Sequence, residues 1–493
     1  MRADQTEEDF DQMTHTLASV PSASVDMQLY SQFASSLRGN LITPEHPEYD
    51  DARALYNGMI DKHPAMIVRA IDVADVITTV NFARVTNLPL AIRSGGHNGA
   101  GLASVDDGIV LDLSRMKGIR VDPIARTVRV EPGNTWADVD HATHAFGMAT
   151  PSGIIGSTGV SGLTLGGGLG HLTRRFGFSV DNLLSADVVL ADGRLVTANS
   201  DEHPDLFWAL RGGGGNFGVV TSFLFRLHHV DTVVAGPTFW PLEQSAEVMQ
   251  WYRSFITEAP EDLNGFFAFL TVPPVPAFPE ALHLQKVVGV VWCYTGPLDQ
   301  ADAAFAPIRD MAPMLDGVQP MPYPAMQGMF DPLYPAGMQW YWKADFVREL
   351  SDEAIAKHVE YALTMPPGFS TMHLYPIDGA AHRVGRNEMA FNYRDANWAE
   401  VIVGVDPDPA NAETITSWAR DYWAAVHPYS AGGAYVNMMM EEGDQRIRDS
   451  YRDNYDRLAE IKFQYDPGNL FHINQNIRPA VPDAGNDVRL SAR

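Results

Sequence analysis

The chain has 493 residues, 45% of them apolar, and carries 35 Lys and Arg against 61 Asp and Glu, a net charge of −26. Its length calls for more than one hydrophobic core, and its acidity opposes binding to nucleic acid or to an anionic membrane. Cys293 is the single cysteine, which excludes an internal disulfide and a cysteine-held metal cluster.

The acidic start MRADQTEEDFDQM has neither the basic opening nor the apolar stretch of a signal peptide, and no later segment is apolar for long enough to span a bilayer. A cytoplasmic protein with no membrane partner is expected. Between about residues 60 and 230, short strand-like runs (Met66–Arg69, Leu90–Arg93, Ile109–Asp112, Thr127–Val130) alternate with helical patterns such as Val73 to Asn87. Residues 235–430 read as a separate lobe, with longer strand-like runs (Lys286 to Cys293, Ala399 to Val405) and amphipathic helices (Gln244 to Glu258, Ser351 to Met365). A further helix is predicted over Arg446 to Gln464, stopped by Pro467 and Gly468, and the chain frays from Val481 on.

Three glycine-rich loops each adjoin a strand. The first, Arg93-Ser94-Gly95-Gly96-His97-Asn98, lets backbone amides approach a ligand and then offers a polar pair. The second runs from Gly159 to Gly170; it suits a chain lying flat against a dinucleotide with its N–H groups turned to a pyrophosphate. A Rossmann fingerprint fails on context, because glycines continue where a helix needs side chains. The third is Gly212 to Gly218, leading into Val219 and Val220. Taken singly, the first loop reads more readily as a solvated turn and the third as a flexible one.

Together with the C-terminal block YDPGNLFHINQNIRP, these loops resemble, in the same order, the berberine bridge enzyme-like group of the vanillyl-alcohol oxidase superfamily. The resemblance covers about residues 35–230 and 415–480. It implies an α+β fold with a PCMH-type FAD-binding domain of two α+β subdomains in residues 1–232. A substrate domain, an antiparallel sheet backed by helices, would occupy 233–430, with 431–480 completing the FAD-binding domain and 481–493 a flexible tail.

The implied cofactor is FAD, attached covalently through His97. The positions matching family flavin contacts are Arg93, Ser94, Gly95, Gly96, His97 and Asn98, then Pro151, Ser152 and Gly153. Thr158, Gly159, Val160, Ser161 and Gly162 follow, then Leu165, Gly166, Gly167, Gly168 and Gly170. Gly218, Val219, Val220, Tyr435, Asn437, Asn474 and Gln475 complete the set.

The sequence departs from the family pattern twice. Where many members carry a second, cysteinyl attachment, this chain has Ile155, leaving His97 the sole anchor. Where many end a YxNY motif in a tyrosine that helps deprotonate the substrate, it has Met438, which cannot accept a proton. Tyr435, Tyr393 and His373 are the candidate catalytic residues, and Tyr341, His373 and Tyr393 the candidate substrate contacts. Alternation along a predicted strand Phe391–Arg394 puts Tyr393 and Phe391 on one face.

The resemblance implies an FAD-linked oxidoreductase that takes a hydride from a C–H beside a hydroxyl or amine of a small organic substrate. O2 as electron acceptor, with release of H2O2, is expected, and Val160 is placed where O2 would approach. A dehydrogenase using another acceptor and a flavin-bearing binder without turnover stay open as alternatives.

Overall fold

The computed structural model describes residues 26–481, so the frayed tail expected from Val481 lies, beyond Val481 itself, outside the described residues. Among these, no helix is long and apolar enough to cross a membrane.

Strands β1 (Asn40–Ile42), β2 (Met66–Arg69), β3 (Leu90–Arg93) and β4 (Ile109–Asp112) form a sheet in the order β1-β2-β4-β3. β4 is parallel to both β2 and β3; parallel neighbours need a crossover, and the helix Val73–Thr86 supplies it between β2 and β3. Asp72 caps this helix on the Asp75 amide, and Asn87 ends it in the left-handed conformation at φ 55°. The His97 loop therefore leaves the carboxyl end of β3.

The second sheet is antiparallel: β5 (Ile119–Asp122), β6 (Thr127–Val130), β8 (Leu183–Val189), β9 (Leu195–Asn199) and β10 (Val219–Arg226), in the order β5-β6-β10-β8-β9. β7 (Met148–Ala149) pairs separately with β11 (His228–His229).

The largest sheet is also antiparallel. Its members are β12 (Thr232–Pro241), β13 (Leu263–Thr271), β14 (Lys286–Tyr294), β15 (Leu315–Asp316), β16 (Gln319–Pro322), β17 (Gln339–Val347), β18 (Thr371–Pro376) and β19 (Trp398–Asp406). The order is β15-β12-β14-β13-β18-β19-β17, with β16 also on β12. Side chains alternate between faces. Phe267, Phe269, Trp292, Tyr341, Leu374 and Ile402 pack under the helices Ser245–Glu258, Asp352–Thr364 and Ala412–Val426. Phe266, Trp340, Trp342, Tyr375, Val401 and Val403 instead share a core with the glycine-rich lobe.

Two buried guanidinium groups tie the lobes together. Arg174 pairs with Asp378 at 2.7 Å and donates to the carbonyls of Ala259 and Leu263. Arg394 pairs with Asp181 at 2.6 Å. Residues 434–478 then return to the glycine-rich lobe, where the Lys462 ammonium, fully buried, donates to the carbonyls of Asn216 and Phe471 and to the Asp466 carboxylate at 2.6–2.9 Å.

Two expected elements differ. The helix foreseen over Arg446 to Gln464 is broken into Asp444–Tyr451 and Tyr455–Tyr465 by a tight turn in which Arg452 adopts φ 46°. The break is stabilised from outside: the Arg452 guanidinium pairs with Asp395 at 2.7 Å and covers the Tyr393 ring, and the Asn454 amide donates to the Arg386, Met389 and Ala390 carbonyls. The segment Phe391–Arg394 is not a strand. Its backbone is tied to the end of the helix Pro204–Leu210, just before the third glycine loop: the Phe391 amide donates to the Arg211 carbonyl, and that of the preceding Ala390 to the Trp208 carbonyl.

Candidate active site

A cavity of about 330 Å³ lies between the glycine-rich lobe and the inner face of the large sheet. Ser94, Gly95, Gly96, His97 and Asn98 line it from the first loop, Gly159, Ser161, Gly162 and Leu165 from the second, and Gly153 and Thr158 from the segment before it. Gly218, Val219 and Val220 follow from the third, and Tyr435, Asn437, Asn474 and Gln475 from the C-terminal segment. The sheet contributes Trp340, Trp342, Thr371, His373, Tyr375, Val401 and Val403, beside Tyr334.

The first two loops touch along their backbones. A Cβ on Gly95 would stand 2.7 Å from the Gly159 Cα, so only glycine permits this approach. His97 is thereby held over the second loop. Its ring stacks on Tyr56 at 3.8 Å between centroids, its Nε2 is 3.2 Å from the Ser157 hydroxyl, and its Nδ1 is only at the 3.5 Å limit from Thr158. Burial pushes its pKa down to about 4, so the imidazole is neutral at physiological pH.

Several residues expected at the flavin stand behind the wall. Arg93 pairs with Asp112 at 2.8 Å. The Pro151 carbonyl accepts from Ser179, and the Ser152 hydroxyl accepts from Gln327 at 2.6 Å. Val160 is fully buried in the core, with no share of the cavity surface. Gly166, Gly167, Gly168 and Gly170 are absent from the lining as well. They serve close packing: a Cβ at Gly166 would sit 2.6 Å from Asn437 Cγ, at Gly167 2.9 Å from the Phe391 ring, and at Gly168 2.5 Å from Ser179 Cβ, while Gly170 abuts the Ser152 and Gly153 backbone.

The expected substrate contacts divide in the same way. Tyr341 points to the helix side, where its hydroxyl accepts from Arg420 at 2.9 Å; its neighbours Trp340 and Trp342 face the cavity instead. Tyr393 is outside the cavity, stacked on Phe346 at 4.3 Å and donating to the Asp449 carbonyl. His373 lines the cavity, and its Nδ1 is 2.6 Å from the Tyr375 hydroxyl. Withdrawal from bulk solvent takes the His373 pKa down to about 3 and raises that of Tyr375, which the Tyr334 and Tyr435 phenols push further. The Tyr435 oxygen accepts from the Gly168 amide and the Asn437 side chain, both at 2.9 Å. A hydroxyl has two lone pairs; with both occupied, Tyr435 can donate a proton but has no free site to accept one. Tyr375 carried no signal in the sequence beyond its two-residue spacing from His373.

Residues 64–199 match the family described as FAD binding domain, and residues 434–478 match that described as berberine and berberine like. An FAD-linked oxidoreductase of Pyricularia oryzae is 30% identical over 430 residues, 83% of each chain. The chain belongs to the berberine bridge enzyme-like FAD-linked oxidoreductases. (R)-6-hydroxynicotine oxidase of Paenarthrobacter nicotinovorans is 28% identical over 460 residues, 90% of this chain and 97% of that one. Among solved structures, 6-hydroxy-D-nicotine oxidase from Arthrobacter nicotinovorans aligns with a TM-score of 0.79 at 26% identity, covering 90% of this chain and 99% of the other. Physcomitrella patens BBE-like 1 shares the fold, with a TM-score of 0.81 at 24% identity over 92% and 99% of the two chains.

The cavity of this oxidoreductase fits FAD. Positions Gly162 and Gly215 have no atom within 4 Å of where a Cβ would stand, so the backbone is open to a flat ligand there. The amides of Gly95, Gly96, His97 and Asn98 meet no acceptor among the described residues, and the buried Asn474 Oδ1 and Tyr451 hydroxyl of the cavity wall have no partner either. A pyrophosphate would be held by the neutral backbone amides, because among the described residues no Lys or Arg lines the cavity. When bound, FAD supplies two-electron oxidation; the protein's part is to hold it, orient the substrate and manage the proton.

Proposed function

We propose that this oxidoreductase is an FAD-dependent oxidase that removes a hydride from a C–H next to a hydroxyl or amine of a small organic substrate, with O2 as acceptor and H2O2 as product, and with FAD bonded through His97 alone. The observation that carries this reading is the single cavity that joins a neutral His97 and the glycine loops on one wall to the aromatic sheet face on the other. A neutral imidazole with its Nδ1 only loosely engaged is available to form a bond to carbon. Single attachment is supported by Ile155, which lines the cavity, and by Cys293, which is buried away from it with its thiol pushed up to about 12. The oxidase reading draws on relatives such as (R)-6-hydroxynicotine oxidase.

The sheet wall positions the substrate over the cofactor, and water exclusion between the lobes strengthens every hydrogen bond made there. The test is spectroscopic. Purified protein is expected to be yellow, to keep its flavin after acid precipitation, and to release it after His97→Ala; release by the wild type would refute the bond. Peroxide formation during turnover supports the oxidase, whereas bleaching that persists in air favours another acceptor.

A further inference from the structure

The wall that the sheet presents to the cavity is aromatic and carries no charge. Trp340, Trp342, Tyr334, His373 and Tyr375 make up most of it, beside Thr371, Val401 and Val403, and among the described residues no Asp, Glu, Lys or Arg lines the cavity. The indole N–H groups of Trp340 and Trp342, residues 6% and 7% exposed, have no acceptor among the described residues. Phe266 backs His373 and Tyr375 at 5.0 and 5.1 Å between ring centroids. An ionised ligand would give up its hydration here without a counter-charge, at a cost that neutral ring compounds escape.

From this arrangement we propose that the substrate is an uncharged alcohol bearing an aromatic ring, whose hydroxyl docks on Tyr375, with His373 behind it as the terminal proton acceptor. The inference rests on the oxidoreductase reading and narrows its substrate. Tyr375 and His373 share one face of β18, two residues apart, and are 2.6 Å apart at Oη and Nδ1. In the Nε2–H tautomer, Nδ1 holds a lone pair toward Tyr375. As the hydrogen and two electrons leave the adjacent carbon for FAD, the hydroxyl proton passes to Tyr375 Oη and the phenolic proton to His373 Nδ1, so that the neutral carbonyl product forms without a free alkoxide. Tyr334 and Tyr435 are the other titratable groups facing the pair, and Tyr435 has no free lone pair for this proton.

The test uses the FAD-loaded protein and ligands of one ring system. 2-Naphthol has a hydroxyl but no oxidisable C–H, so it reads binding alone; 2-naphthoate and 2-naphthylmethylammonium carry opposite charges, and glucose has no aromatic ring. By equilibrium dialysis 2-naphthol is expected to bind at least about tenfold tighter than either ion or glucose, a difference of about 1.4 kcal/mol. Tyr375→Phe should weaken 2-naphthol severalfold while leaving naphthalene unchanged, and His373→Gln, which keeps a polar partner for Tyr375, should leave 2-naphthol binding intact. With 2-naphthylmethanol, both variants should slow flavin bleaching and change its solvent deuterium isotope effect. Equal or tighter binding of an ion or of glucose overturns the proposal, as does Tyr375→Phe with unchanged 2-naphthol binding. Selective 2-naphthol binding without bleaching by any alcohol or amine supports the pocket's selectivity and instead refutes turnover.

Discussion

Gly162 offers a substitution in which stability and cofactor binding should move in opposite directions. It is the third residue of the short helix Val160–Leu165, it lines the cavity, and no atom lies within 4 Å of the position its Cβ would take. Alanine there meets no protein atom and favours the helix over glycine by roughly 0.5–1 kcal/mol, so the cofactor-free protein is expected to melt slightly higher. The same methyl occupies space that FAD needs, and overpacking a fitted site costs about 1–3 kcal/mol, or roughly 5- to 150-fold in affinity. The comparison belongs in a His97→Ala background, where binding equilibrates without a covalent bond. The protein is stripped of flavin, its melting point recorded, and FAD titrated by fluorescence quenching. Unchanged FAD affinity, or a fall in the stripped protein's melting point, would refute the placement of the cofactor against this helix.

Two further perturbations test groups away from the cavity surface. Lys462→Met leaves the buried Asp466 carboxylate without its cation and should cost about 3–5 kcal/mol, while adding Asp466→Asn should recover part of the loss; a double variant no more stable than the single one contradicts this account. Glu400 is buried beside His358 and directly across β17–β19 from Asp345, and burial first, then Asp345, raises its pKa well above the usual carboxylate range. The native protein therefore keeps a proton that the unfolded chain loses, and stability contributed by this group is present below the unfolded value and lost as pH rises toward the folded one. Glu400→Gln should match wild type in acid and outlast it progressively above that, by about 1.4 kcal/mol per pH unit until the folded pKa is passed; parallel melting curves at every pH would exclude a protonated Glu400.

The glycine loops were legible because glycine has few reasons to cluster beside strands, yet sequence alone does not separate its two uses. Gly162 and Gly215 leave room at a cavity wall, whereas Gly95, Gly166, Gly167 and Gly168 leave room for Gly159, Asn437, Phe391 and Ser179. Facing was illegible on β17, because Trp340-Tyr341-Trp342 is buried on both sides and shows no polar alternation. The loop at Phe391–Arg394 has the composition of a strand, but its backbone partners lie far away in the chain, at Trp208 and Arg211. The break at Arg452 was hidden for the same reason: its cause, Asp395, is a tertiary neighbour.

The Lys462 clasp also sets an order of assembly. The carbonyl of Asn216 in the third glycine loop is answered by a side chain that the ribosome adds 246 residues later, and the cavity wall is completed only by Asn474 and Gln475. Nascent lobes can fold in turn as they emerge, but a chain halted before Lys462 would expose the third loop with its wall missing. Completion of the cofactor wall is thus deferred until residues 462–475 have been made, and a folded cavity reports that synthesis has passed that point.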